Sequence, residues 1–242
     1  MAAYFLFRQS SPTMKNYPRL TGFVAAAAVC LLAATSARAD DKTDLAQQIS
    51  DASTFYQTLQ LTPATAVPDA VVAKAKGVLI LNRWSGGLII GGSGGNGIGL
   101  KKGADGKFSA PAFYKIGGGS LGLQIGGGNT RTIAFLMTDK GLTALTDSKL
   151  TWGGDARAVA GPNATSTSTL DDSADIVLYQ QSSGLDVGAS FSGVKVSTNT
   201  EGNRKFYDDP TLTPTDIFDG KVKTPDGALP LLNALDAQAA KK

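Results

Sequence analysis

The sequence predicts an α+β protein: a curved, glycine-rich antiparallel β-sheet or barrel flanked by N- and C-terminal helices. Three observations carry this. In residues 41–61, Leu45, Ile49, Ala52, Tyr56 and Leu59 recur at helical spacing on one stripe, with Phe55 beside it. From Gly77 onward the pattern changes to short apolar runs at hairpin intervals, with glycine crowded between them. Beyond residue 209, Pro210, Pro214, Pro225 and Pro230 divide the chain into short helical segments.

The chain opens with Lys15 and Arg19 ahead of an unbroken apolar run at 23–34. Ala37-Arg38-Ala39 and the acids Asp40 and Asp41 follow. A membrane-spanning helix needs about 20 apolar residues, whereas the apolar region of a secretory signal needs about 7–15. Residues 1–39 therefore read as a signal peptide cleaved after Ala39. Within it, 1–13 read as an extension from an upstream start, because Met14-Lys15 opens a signal by itself. Cys30 lies inside the apolar run behind Val29, which does not fit a lipidated cysteine. The expectation is an exported protein, periplasmic or envelope-associated, in which 40–242 form one domain.

Cleavage would remove Arg8, Lys15, Arg19 and Arg38, moving the formal charge from +3 to −1. The isoelectric point of 8.9 belongs to the uncleaved chain. A nearly neutral domain gives no ground for a nucleic-acid partner. The chain has no histidine, and its single cysteine lies in the leader. A Ser-His-Asp triad, a cysteine nucleophile and a histidine-based zinc site are thereby excluded from 40–242. Asp171, Asp172 and Asp175 lack the Asp-x-Asp-x-Asp-Gly framework of a calcium loop. The expectation is a protein that is not an enzyme and uses neither metal nor cofactor.

After the first helix, whose polar face carries Asp44, Gln48 and Asp51, Pro63 and Pro68 break the periodicity. A short helix is expected at 70–76. Strands follow at 78–81, 88–90, 97–101, 112–116, 121–125 and 132–137, with Asp105-Gly106 as a hairpin turn. A short helix at 139–145 precedes a low-complexity loop at 161–173 and strands at 176–179, 185–191 and 194–196. Residues 201–205 read as a solvated helical turn, and 214–218 and 228–240 as helices.

Gly92-Ser93-Gly94-Gly95-Asn96-Gly97 matches GxGxxG, but Ile98-Gly99-Leu100-Lys101 continues as a strand. A dinucleotide loop must open a helix, so the match lacks its context. The glycines between 77 and 128 allow two readings. One is a strongly bent or closely packed sheet, the other a side-chain-free groove for an apolar ligand such as an acyl chain. The candidate binding residues are equally two-sided. Leu45, Ile49, Tyr56 and Leu59 either contact a membrane or pack on the sheet. Lys101, Lys102 and Lys107, around one hairpin tip, either meet anionic headgroups at about 1 kcal/mol per charge or protect the hairpin edge.

Four blocks in order carry a likeness to a known family. The first is Val67-Pro68-Asp69 with Ala73-Lys74-Ala75-Lys76-Gly77-Val78-Leu79-Ile80. The second joins Ser109-Ala110-Pro111-Ala112-Phe113-Tyr114 to Gly118-Gly119-Ser120-Leu121-Gly122-Leu123-Gln124-Ile125-Gly126. Gly153-Gly154-Asp155-Ala156 with Ala160-Gly161-Pro162 is the third. Tyr179, Gly184-Leu185, Gly188 and Gly193, ending in Asn203-Arg204-Lys205-Phe206-Tyr207, form the fourth. Over about residues 45–208 the chain resembles the SYLF lipid-binding family. The resemblance implies membrane-lipid binding, in which an N-terminal amphipathic helix takes part. Eukaryotic members bind phosphoinositides beside SH3 or FYVE modules, and some bind actin. An exported bacterial member would meet neither actin nor phosphoinositides, so its implied partners are membrane lipids, anionic phospholipids among them. The implied function is a non-enzymatic lipid-binding protein of the bacterial cell envelope. The alternative is a structural or protein-interaction module whose amphipathic helix is core.

Overall fold

A computed structural model describes residues 41–87, 90–121, 126–146, 150–151, 157–161, 173–184 and 195–241. The expected signal peptide, the strand expected at 185–191, residues 88–89 and 122–125 of two others, and loop residues 162–172 lie outside the described residues.

Helix α1 (Lys42–Gln60) begins at Asp41, whose carboxylate accepts the Lys42 N–H at 2.6 Å. Asp44, in the first turn, stands at the positive end of the helix dipole. The apolar stripe is buried as core, with Leu45, Ile49, Ala52, Phe55, Tyr56 and Leu59 all covered. Burying one such large side chain is worth about 1.5–3 kcal/mol, so packing of the stripe holds α1 in place. Helix α2 (Asp69–Lys74) follows Pro68, and its Val71 and Val72 join the same core.

The strands are β1 (Gly77–Gly87), β2 (Ile90–Lys101), β3 (Ala112–Leu121), β4 (Gly126–Leu136), β5 (Leu150–Thr151), β6 (Ala158–Ala160), β7 (Ile176–Gly184) and β8 (Lys195–Thr198). They form one sheet in the order β5-β8-β3-β2-β1-β4-β7-β6. Every neighbouring pair is antiparallel except β6 and β7, which run parallel. Among the described residues β5 and β6 are the two ends and do not pair with each other, so the sheet is open and not a barrel. The remaining helices are α3 (Asp139–Thr146), α4 (Thr200–Phe206), α5 (Pro214–Phe218) and α6 (Leu229–Ala239). Among the described residues no helix is long and apolar enough to cross a membrane.

The central strands are much longer than the apolar runs that announced them. β1 pairs along all 11 of its residues with both β2 and β4, so hydrogen bonds on both sides carry the strand into its side-chain-poor half. The GxGxxG match falls inside β2. In the inner half both faces are covered. Val78, Ile80, Ile98, Phe113, Ile133 and Phe135 share one core with α1, α2 and α6. Leu79, Leu81, Tyr114, Ala134 and Leu136 share another with Leu145 of α3 and Ile217 and Phe218 of α5. The Tyr56 hydroxyl donates to the Gln238 side-chain carbonyl, and the Gln238 amide donates to Val67 O at 2.6 Å, tying α1 to α6.

The segment at 201–205 differs from its expected solvated turn. Asn199 caps α4 through the Gly202 N–H, and Gly202 and Asn203 are buried. The Asn203 side chain accepts the Phe113 N–H at 2.8 Å and donates to Phe113 O at 3.2 Å, copying a strand pairing. An amide can do this because it carries both a donor and an acceptor.

The close-packed reading of the glycines holds at some positions, and others have open space around them. A Cβ on Gly95 would lie 2.1 Å from Asn82 O, and one on Gly97 2.5 Å from Ile80 O. There β2 presses against β1. At Gly86, Gly92 and Gly117 a Cβ would meet nothing within 4 Å. We expect Gly95→Ala to cost at least about 2 kcal/mol, because backbone must move, and Gly92→Ala to stay within about 0.5 kcal/mol. Urea-unfolding midpoints compare the two.

Asp175 fastens α3 to the β6–β7 end. Its carboxylate accepts the Thr138 hydroxyl at 2.6 Å and the Arg157 N–H at 3.0 Å, and Lys140 stands 3.4 Å away. These contacts, the Thr138 bond first, hold its pKa below the usual carboxylate range. A lowered pKa gives stability that is complete above the unfolded value of about 3.9 and is lost as pH falls through the folded one. The stability gap between the native chain and Asp175→Asn should therefore be widest near neutrality and close below about pH 4. Denaturation series at several pH values measure it.

Candidate functional site

Strand register sorts the side chains of the α1-facing side into rows. Ile133, Ile80, Ile98 and Phe113 form an apolar row under the helix. The next row outward is polar: Gln181, Arg131, Asn82, Asn96, Lys115 and Ser197 lie side by side across five junctions. Beyond it come Ser183, Asn129, Trp84, Gly94, Gly117 and Lys195. The row after that is glycine on four adjacent strands: Gly127, Gly86, Gly92 and Gly119. The face thus passes from core, through a polar belt, to nearly bare backbone.

Trp84 stands at that border and is 55% exposed. The absent side chain of Gly94 gives its ring a place to lie, since a Cβ there would come within 3.0 Å of Trp84 Cζ3. An exposed tryptophan, apolar in body with one N–H, suits a boundary between water and an apolar phase. Arg131, Lys115 and Lys195 are exposed on the same side of the sheet.

Between α1 and the polar belt lies a pocket of about 150 Å³, lined by Gln48, Asp51, Phe55, Asn82, Asn96 and Arg131, among others. The Arg131 guanidinium lies 5.8 Å from the centre of the Phe55 ring, within reach of a cation–π contact. Gln48 Oε1 and Asn82 Oδ1 are buried with no hydrogen-bond partner among the described residues. No group of three or more His, Cys, Asp or Glu able to hold a metal ion occurs among the described residues.

The residues singled out from the sequence do not gather here. Leu45, Ile49, Tyr56 and Leu59 are at most 3% exposed and face the sheet. Burial also raises the Tyr56 hydroxyl pKa, so it remains a donor to Gln238. Lys101 and Lys102 have separate partners. Lys101 reaches Asp219, after α5, at 3.7 Å. Lys102 turns the other way: its ammonium donates to Val72 O at 2.7 Å and Ala73 O at 3.0 Å, at the negative end of α2. It also lies 5.0 Å from the Phe108 ring centre, and desolvation lowers its pKa. Lys107 is exposed on the turn. Asn82, Asn96, Trp84 and Arg131 were missed. The signal was period-two alternation, which puts Val78, Ile80, Asn82 and Trp84 on one face of β1.

Residues 117–238 match the model of the Ysc84 family, described as Las17-binding protein actin regulator. Protein YSC84 of Saccharomyces cerevisiae is 32% identical over 180 residues, which are 72% of this chain and 38% of that protein. SH3 domain-containing YSC84-like protein 1 of Bos taurus is 34% identical over 179 residues, 72% of this chain and 52% of the relative. LAS seventeen-binding protein 3 of Saccharomyces cerevisiae is 28% identical over 179 residues, 72% of this chain and 39% of the relative. The chain thus spans about half or less of the length of the curated relatives it matches. No solved structure matches it. The SYLF-like blocks from Gly118 onward fall within the matched residues, and the chain belongs to the Ysc84/SYLF family.

Proposed function

We propose that this protein is a non-catalytic lipid-binding module of the bacterial cell envelope, exported and then held at a membrane surface with anionic phospholipid. The observation that carries the reading is exposed Trp84 at the head of the bare glycine rows, with Arg131, Lys115 and Lys195 exposed on the same face. Bare backbone paired on both sides lets the sheet lie close to a surface, and the tryptophan ring enters the headgroup boundary. Each cation adds about 1 kcal/mol toward an anionic leaflet, falling off within a Debye length. The contact is thereby assigned to the outer sheet, and α1 stays packed.

A second reading, an interaction module that binds no lipid, draws on the complete burial of the α1 stripe. The relatives' names speak of Las17 binding and of an SH3 domain; those names describe longer proteins, of which the matched stretch is 38–52%.

Vesicle flotation separates the two. Retention on anionic vesicles, weakened by salt and reduced about tenfold or more by Trp84→Ala with unchanged melting, is the expected result. Ile49→Asp should instead unfold the domain, costing several kcal/mol in stability, since a carboxylate would enter the core. Retention on no vesicle of any composition would leave the interaction module in its place.

A further inference from the structure

The pocket beneath α1 makes a demand that membrane docking does not meet. Gln48 Oε1 and Asn82 Oδ1 are buried, line the pocket and have no donor among the described residues. A buried acceptor left unmet is unfavourable, and native proteins rarely keep two in one place without something to fill it. The two oxygens come from different elements, α1 and β1, and face the same space.

Size and chemistry narrow the occupant. A cavity of about 150 Å³ accommodates one six-membered ring. Its polar lining includes three side-chain amides, the Asp51 carboxylate and the Arg131 guanidinium, so one negative and one positive charge balance. A phosphate would match Arg131 but would confront Asp51 and the two unmet oxygens. A hydroxyl both donates and accepts, so it satisfies an amide in either orientation, and a carboxylate or a guanidinium equally well. Phe55 supplies an apolar wall for the carbon–hydrogen face of a ring.

We infer that this pocket, built from Gln48, Asp51, Phe55, Asn82, Asn96 and Arg131, binds one neutral six-membered polyol ring, a sugar or a cyclitol. The ring is either free in solution or the headgroup of a glycolipid; hydroxyl recognition is the same in both cases. The inference shares Arg131 with the membrane reading but uses neither Trp84 nor the bare glycine row, because the pocket lies between α1 and the polar belt.

The test uses the full chain and three probes, glucose, N-acetylglucosamine and myo-inositol, read by saturation-transfer NMR and calorimetry. A parallel arm displays the same rings as glycolipids in zwitterionic vesicles. We expect at least one ring to bind. Asn82→Leu and Gln48→Met should each weaken binding at least about tenfold while leaving the melting temperature unchanged or higher, because each removes an unmet acceptor. A merely structural polar residue would not give that opposite pair of effects. Gln48→Met lies on a half-exposed helix position, so it keeps the test decisive if the strand variant folds poorly. Binding of free rings assigns a soluble ligand; binding only on glycolipid vesicles assigns a headgroup; either supports the site. No ring bound in either arm would mean water alone fills the pocket and overturns it. So would binding that both variants retain, or preference for a phosphorylated ring over its neutral parent. Flotation on sugar-free vesicles reports on membrane docking alone, so failure of one reading is distinguishable from failure of the other.

Discussion

The architecture rests on how closely β2 crosses β1. Two consecutive positions on one face of β2, Gly95 and Gly97, have no room for even a methyl group, because the β1 backbone occupies that space. At Gly99 the space belongs to Tyr114 and Leu145 instead. Glycine here works by its absence, letting Leu81, Tyr114 and Leu145 close over a strand that contributes no side chain of its own to that core. The same strand presents Ile98 and Leu100 to the opposite face, under α1 and α2. One strand can therefore be sandwiched between two helical layers while staying within reach of both.

That arrangement divides the sheet lengthwise. The inner half is an interior, with apolar residues on both faces and helices over each. The outer half continues the same strands in register with almost nothing attached to them. On the proposed reading, stability and recognition are thus separated along the central strands, not between elements. Substitution pressures differ accordingly: volume matters inside, whereas outside what matters is how near another surface can approach. The polar belt forms the seam, and helix α1 lies over one side of it, which is where the pocket arises.

The fold class and the element order were legible because hydrophobic periodicity reports burial, and burial is what these elements share. The α1 stripe is the plainest case: its spacing marked one face, and that face is in the core. Strand length was less legible. Period and β-propensity are carried by side chains, so the glycine-rich halves of β1 and β2 left no trace of strand character, although backbone pairing sustains them. The lysines show a different limit. Adjacent residues of a strand point to opposite faces, so Lys101 and Lys102 serve α5 and α2 respectively and form no common patch. Asn203 looked like part of a solvated turn because its partner, the Phe113 backbone, lies 90 residues away in the sequence. The pocket residues come from α1, β1, β2 and β4, and no local spacing links them.

The bond from Tyr56 to Gln238 spans 182 positions of the chain and is part of what closes the core over α1. Leu231, Leu232 and Leu235 of α6 complete that core, so α1 lacks its full cover until α6 has emerged. A chain synthesised or threaded through a pore from its N-terminus must therefore carry an apolar stripe exposed until α6 follows. Contacts this distant in sequence are slow to form, because loop-closure entropy precedes any gain from them. The domain has a built-in interval during which its most adhesive surface is uncovered, and holdase chaperones, which bind exposed apolar stretches, have that interval in which to act.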